Sequence, residues 1–145
     1  MNITEYGKID IPEEMLKFAE TIKMENYKTN TPKEFQKHKL VSDDFLKELS
    51  FIINVPVEKI DYVFFSAAQG AEPHIDMLDP DKFEEDTFSI PIILPNTKGN
   101  YMRVGDNYSS VKVGNIQHFN HQIEHELVLG DHSLGCVLIM AAVLK

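Results

Sequence analysis

Three residues of this chain have the type and spacing to hold a metal ion: His74 and Asp76, one residue apart, and His125 far downstream. Side chains at i and i+2 of an extended segment point to the same face. One imidazole from a later strand then completes a set of two imidazoles and one carboxylate. Such a set covers one side of an ion and leaves other positions open. That suits a non-haem iron(II) centre, which must also take a cosubstrate and O2. The plainer alternative is a solvated His74–Asp76 loop after Pro73, with His125 half-buried on a carbonyl. His118 and His121 read as surface residues, and either replaces His125 if the strand register slips by an odd residue. His38, between Lys37 and Lys39, reads as solvated.

The elements that must position these residues are legible as periodicity. Pro12 opens a helix whose stripe is Met15, Leu16, Phe18, Ala19 and Ile22. Residues 26–30 read as a connector, and Thr31-Pro32-Lys33-Glu34 as the capping box of another helix. Ser42 starts a further helix through Phe45, Leu46, Leu49, Ile52 and Ile53, stopping near Asn54 before Pro56. From Ile60 the pattern turns to strands: residues 62–67, 87–94, 100–104, 110–113, 116–119 and 136–144. Pro91 implies an edge or a bulge in the second of these. The turns are marked by Gly70, Gly99, Gly105, Gly114 and Gly130. Ile123, His125, Leu127 and Leu129 alternate with Glu124, Glu126 and Val128, which sets His125 on the apolar face and both glutamates on the other. The sum is an α+β, mainly β chain: a β-sandwich or jelly roll behind N-terminal helices. We expect one domain over 1–145, with 1–56 mainly helical and 57–145 the β core.

The bulk numbers narrow the function. A net charge of −9, from 14 basic and 23 acidic residues, argues against a nucleic-acid partner, which needs a basic face. Cys136 is the only cysteine, so neither an internal disulfide nor a cysteine-based zinc cluster can form, and its apolar neighbours make it a small core residue. Charges throughout the first twenty residues leave no signal-peptide core, and the apolar run at 136–144 is too short to span a bilayer. The expectation is a cytoplasmic protein with no membrane partner. The acidic stretch at 76–86 reads as solvated loop, as a mobile lid favouring a basic substrate, or as an oxygen-only calcium site of Asp79, Asp81 and Glu84.

The β half also carries a resemblance. Phe119-Asn120 followed by Ile123-Glu124-His125-Glu126-Leu127 resembles the distal-histidine strand of the Fe(II)/2-oxoglutarate-dependent oxygenases, in particular the aspartyl/asparaginyl β-hydroxylase type. Gln69-Gly70-Ala71-Glu72-Pro73-His74 resembles the turn before that family's proximal histidine, and Ile90-Pro91-Ile92-Ile93-Leu94-Pro95 its next strand. The likeness covers residues 71–143. It implies a double-stranded β-helix (jelly roll, cupin-like) and Fe(II) on His74, Asp76 and His125. It also implies 2-oxoglutarate as cosubstrate, and hydroxylation of a small-molecule or peptide substrate with O2.

One family feature is missing. An Arg stands about ten residues after the distal His in that family, where this chain has Gly135, and no basic residue occurs over 133–144. A dianionic cosubstrate needs a local cation, best a bidentate guanidinium. By elimination Arg103, the only arginine, is the expected anchor, with His132, Lys98 and Lys112 as nearer basic residues in sequence. Its alternative is a surface ion pair. Two rival functions follow: a jelly-roll interaction module with a vestigial metal site, and a cupin-like metal enzyme that binds its organic substrate directly.

Overall fold

In a computed structural model of the chain, the described residues are 2–29, 33–37, 42–67, 71–76, 78–131 and 135–145. Among them the elements run β1 (Ile3–Lys8), α1 (Glu13–Thr29), β2 (Lys33–Lys37), α2 (Asp43–Ile53), a 3-10 turn (Val57–Lys59), β3 (Ile60–Ala67), β4 (Ala71–His74), β5 (Phe83–Ile93), β6 (Tyr101–Val104), β7 (Asn107–Ser110), β8 (Asn115–Asn120), β9 (His125–Val128) and β10 (Cys136–Leu144). A six-stranded sheet has the order β1-β8-β5-β10-β3-β2, and a four-stranded sheet the order β4-β9-β6-β7. Two antiparallel sheets of interleaved strands, mainly β with two helices, make the double-stranded β-helix expected above. No described helix is long and apolar enough to cross a membrane.

β10 shows how the layers are sorted. Val137, Ile139, Ala141 and Val143 pack with α1 and α2 residues such as Met15, Ala19, Ile22, Phe45 and Leu49. Cys136, Leu138 and Met140 turn to the other side, into the space between the sheets, with Met102, Val104, Phe119 and Leu127. A strand buried on both faces has no polar alternation, which is why 136–144 reads as one apolar run.

α2 is bounded as its sequence asks. The Ser42 hydroxyl accepts the Phe45 N–H at 3.2 Å, and Asn54 ends the helix in the left-handed region, φ 56°, giving its N–H to the Ser50 carbonyl. α1 buries Met15, Ala19 and Ile22 and leaves Leu16 exposed at the flank of the stripe.

Several expectations are corrected. The connector at 26–30 is largely helix, since α1 runs to Thr29. The capping box does not open a helix: Lys33 and Glu34 belong to β2, an edge strand paired with β3, while Thr31, Pro32 and His38 lie outside the described residues. The strand expected at 110–113 lies earlier, at β7, because Gly105 (φ +57°) and Asp106 form a two-residue turn that returns the chain at once to Asn107. Pro91, expected at an edge or a bulge, is at the bulge. β5 runs between β8 and β10, and Pro91 sits where its register with β10 shifts, at Val137/Leu138, so its missing N–H is not needed by the ladder.

Candidate metal centre

The short strands β4 and β9 pair so that His74 and His125 are direct cross-strand partners. Partners on adjacent antiparallel strands share a face. Asp76 follows β4 by two residues, and its N–H is fixed on the His121 carbonyl at 3.1 Å. His125 is buried with Leu127, and Ile123 packs against the same cluster. His74, at 42% side-chain exposure against 4% for His125, marks the open side.

Nε2 of His74 lies 3.2 Å, and Nε2 of His125 3.3 Å, from the same Asp76 oxygen, Oδ1. All three donor atoms fall within 4.8 Å of one another. Two ligands at right angles on an ion, each about 2.1 Å from it, stand about 3 Å apart, so these spacings fit three cis ligands.

The tautomer of His125 makes the same point. Its Nδ1 donates to the Ile123 carbonyl, 2.8 Å away, so Nε2 is the nitrogen turned to Asp76 Oδ1. Nε2 is buried, with that carboxylate oxygen 3.3 Å away. A proton on the imidazole, or a cation between the two atoms, makes that approach favourable. Burial alone would push the Asp76 carboxyl up, but the imidazoles of His125 and His74 outweigh it and hold it well below the usual carboxylate range. The donor set, a carboxylate and two imidazoles, fits a divalent ion once the nitrogens facing it are deprotonated. Among the described residues it is the only group of such geometry, and Asp79, Asp81 and Glu84 do not form one.

The other expected site residues are placed elsewhere. Arg103 is on β6 opposite Glu126, while its neighbour Val104 is opposite His125. Its side chain therefore lies on the outer face. Its Nε and Nη2 donate to Glu126 at 3.0 and 2.8 Å, Nη2 also to Glu124 at 3.0 Å, and Nη1 to the Gly105 carbonyl at 2.8 Å. The expectation that Arg103 turns to the His74–Asp76–His125 cluster is corrected: the alternation that turns His125 inward turns Glu124 and Glu126 outward, and Arg103 pairs with them. Lys98 and Lys112 are exposed, and His132 lies outside the described residues. Gly135 is buried at φ +69°, a conformation that disfavours any side chain.

His121, expected on the surface, is instead 1% exposed, with Nε2 donating to the Glu84 carbonyl at 3.0 Å. It stands in the turn before β9, where strand alternation does not apply. His118 faces the helix side of the large sheet, bonded to Asp86 at 2.6 Å and stacked near Tyr6 and Phe88. Of the acidic stretch read as solvated loop, lid or calcium site, Glu84, Glu85 and Asp86 are exposed residues at the start of β5.

Comparison with solved structures finds this fold in a crystal structure of a Pseudomonas putida prolyl-4-hydroxylase. The match covers 99% of this chain and 92% of that one, with a TM-score of 0.65 at 10% identity. At that identity the likeness is one of fold. The protein TT1209 from Thermus thermophilus aligns over 79% of this chain and 87% of that one, with a TM-score of 0.44 and 14% identity, too low to add to the argument. No protein-family model and no curated protein matches the sequence.

Proposed function

We propose that the protein is a mononuclear non-haem iron(II) oxygenase, a hydroxylase acting on a small molecule or a peptide residue, with His74, Asp76 and His125 as the metal ligands. The observation that carries this is the convergence of Nε2 of His74 and the buried Nε2 of His125 on one oxygen of Asp76, at 3.2 and 3.3 Å. The fold of a prolyl-4-hydroxylase supports it, and so does the resemblance of residues 119–127 to the aspartyl/asparaginyl β-hydroxylase type. With iron(II) and 2-oxoglutarate bound, a centre of this kind supplies oxidative decarboxylation of the 2-oxo acid by O2, coupled to hydroxylation of a C–H bond. The chain's own residues would orient the ligands. Ile123 fixes the His125 ring, the His121 carbonyl holds the Asp76 backbone, and the apolar Phe119, Val104 and Leu127 keep water from the inner side.

A second reading is favoured by the position of Arg103. That guanidinium is committed to Glu124 and Glu126, so it is not available to the far carboxylate of 2-oxoglutarate. A metal enzyme that binds its organic substrate directly fits the same centre. Anaerobic titration of the Fe(II) protein with 2-oxoglutarate separates them. A visible metal-to-ligand charge-transfer band, followed by succinate on admitting O2, supports the first; stoichiometric Fe(II) without a band supports the second. Failure to bind Fe(II) removes both.

A further inference from the structure

The space between the sheets is not uniformly apolar. Where β5 and β8 pair, Thr87 stands opposite Phe119 and Ser89 opposite Gln117. Phe88 and Ile90 pack on the helix side, so Thr87 and Ser89 turn inward, on the face of Phe119. Thr87, Ser89 and Gln117 are 2%, 0% and 1% exposed. The hydroxyl oxygens of Thr87 and Ser89 and Oε1 of Gln117 have no hydrogen-bond partner. Buried polar atoms in folded proteins are almost always satisfied, so three unpaired ones on a single face need an explanation.

The Gln117 amide is oriented by its neighbours. Its nitrogen donates to the Ser110 carbonyl at 3.0 Å and to the Ser109 hydroxyl at 2.8 Å. A carbonyl only accepts, so the nitrogen must lie on that side, and Oε1 is left as a pure acceptor. The row starts beside the metal-ligand cluster. The Phe119 ring is 4.8 Å from the His125 ring, centroid to centroid, and Gln117 is about 7 Å farther along the same strand face.

We propose that Thr87, Ser89 and Gln117 form a subsite for the far end of the organic molecule bound at the His74–Asp76–His125 centre, and that this end is an uncharged group with a hydrogen to donate, an amide or a hydroxyl, rather than a carboxylate. The assignment rests on the metal reading of those three residues. A carboxylate offers only acceptors: the two hydroxyls can donate to it, but Oε1 of Gln117 faces it lone pair to lone pair. Among the residues whose burial is described no Lys or Arg is buried, so none of those offsets it. An amide gives a hydrogen to Oε1 and accepts from the hydroxyls, satisfying every open atom.

The test uses the Co(II)-loaded protein and two probes with the same oxalyl chelating end: N-oxalylglycine, ending in a carboxylate, and N-oxalylglycinamide, ending in an amide. The Co(II) spectrum and calorimetry follow binding. The amide probe should bind at least about tenfold tighter in the wild type, as sites built around a particular hydrogen bond discriminate. That preference should collapse in Gln117→Leu and survive in Thr87→Ser, while Thr87→Val/Ser89→Ala should weaken both probes; Co(II) affinity should be unchanged in all three variants. Equal affinities, a preference for N-oxalylglycine, binding of neither probe, or a preference that persists in Gln117→Leu overturns the subsite alone. Failure of the wild type to bind Co(II) overturns the metal reading and the subsite with it.

Discussion

His125 gives its Nδ1 hydrogen to Ile123, and that one bond decides which nitrogen is left to coordinate. Replacing His74 or His125 with Ala removes one of the three proposed ligands. Each variant should lose stoichiometric binding of Fe(II), Mn(II) or Co(II) while keeping the wild-type circular dichroism; retained stoichiometric binding in both would remove the centre. The pH dependence follows from the direction of the Asp76 shift. Its carboxyl is held below the usual range, so it is already ionised where an ordinary Asp, near pH 4, would begin to take up a proton. Its ionised oxygen therefore stays available to an ion as the pH falls toward about 4, and Co(II) titration at several pH values should show no loss of affinity centred on the ordinary Asp range. A loss centred near about pH 4 would contradict this. In the metal-free protein the same pairing stabilises the fold above about pH 4, and that contribution is lost as pH falls through the lowered value.

At the scale of elements, legibility follows burial. α2 is readable because Ser42, the Phe45–Leu49–Ile53 spacing and Asn54 all speak locally. β9 is readable because one of its faces is wet and the other dry. β1 leaves no signal: of its six residues only Ile3 is buried, so its existence depends on pairing with β8 rather than on periodicity. β2 carries the signature of a helix start, and pairing with β3 overrides that local propensity. Arg103 is a related case. The outward turn of Glu124 and Glu126 is in the sequence, but the register that sets Arg103 opposite Glu126 is a long-range fact. The His74–Asp76–His125 grouping is legible because i, i+2 spacing and strand alternation are both local. β10 carries the core of both layers, and Ile139, 1% exposed, lies at its centre. Ile139→Ala should cost about 2–5 kcal/mol by denaturant unfolding, as buried Ile truncations do. A loss well under about 1 kcal/mol would mean that the strand is not packed as described.

For the whole molecule, an ion bound by the folded state alone stabilises it by mass action. At a free concentration about one hundred times Kd the gain is about 2.7 kcal/mol, roughly a 5–10 °C rise in Tm for a domain of this size. Thermal scans with Co(II) or Mn(II), reversed by a chelator, should show it, and an unchanged Tm at saturating metal would contradict a site shared by β4 and β9. The order of the large sheet has a further consequence, for biosynthesis. β10 follows the other described strands in sequence yet lies between β5 and β3. While the nascent chain grows, β3 and β5 present open edges with no partner until residues 136–144 have left the ribosome. The sheet therefore closes after translation of its final strand, not progressively from the N-terminus, and a chain stopped short of it would expose two unpaired apolar edges to aggregation.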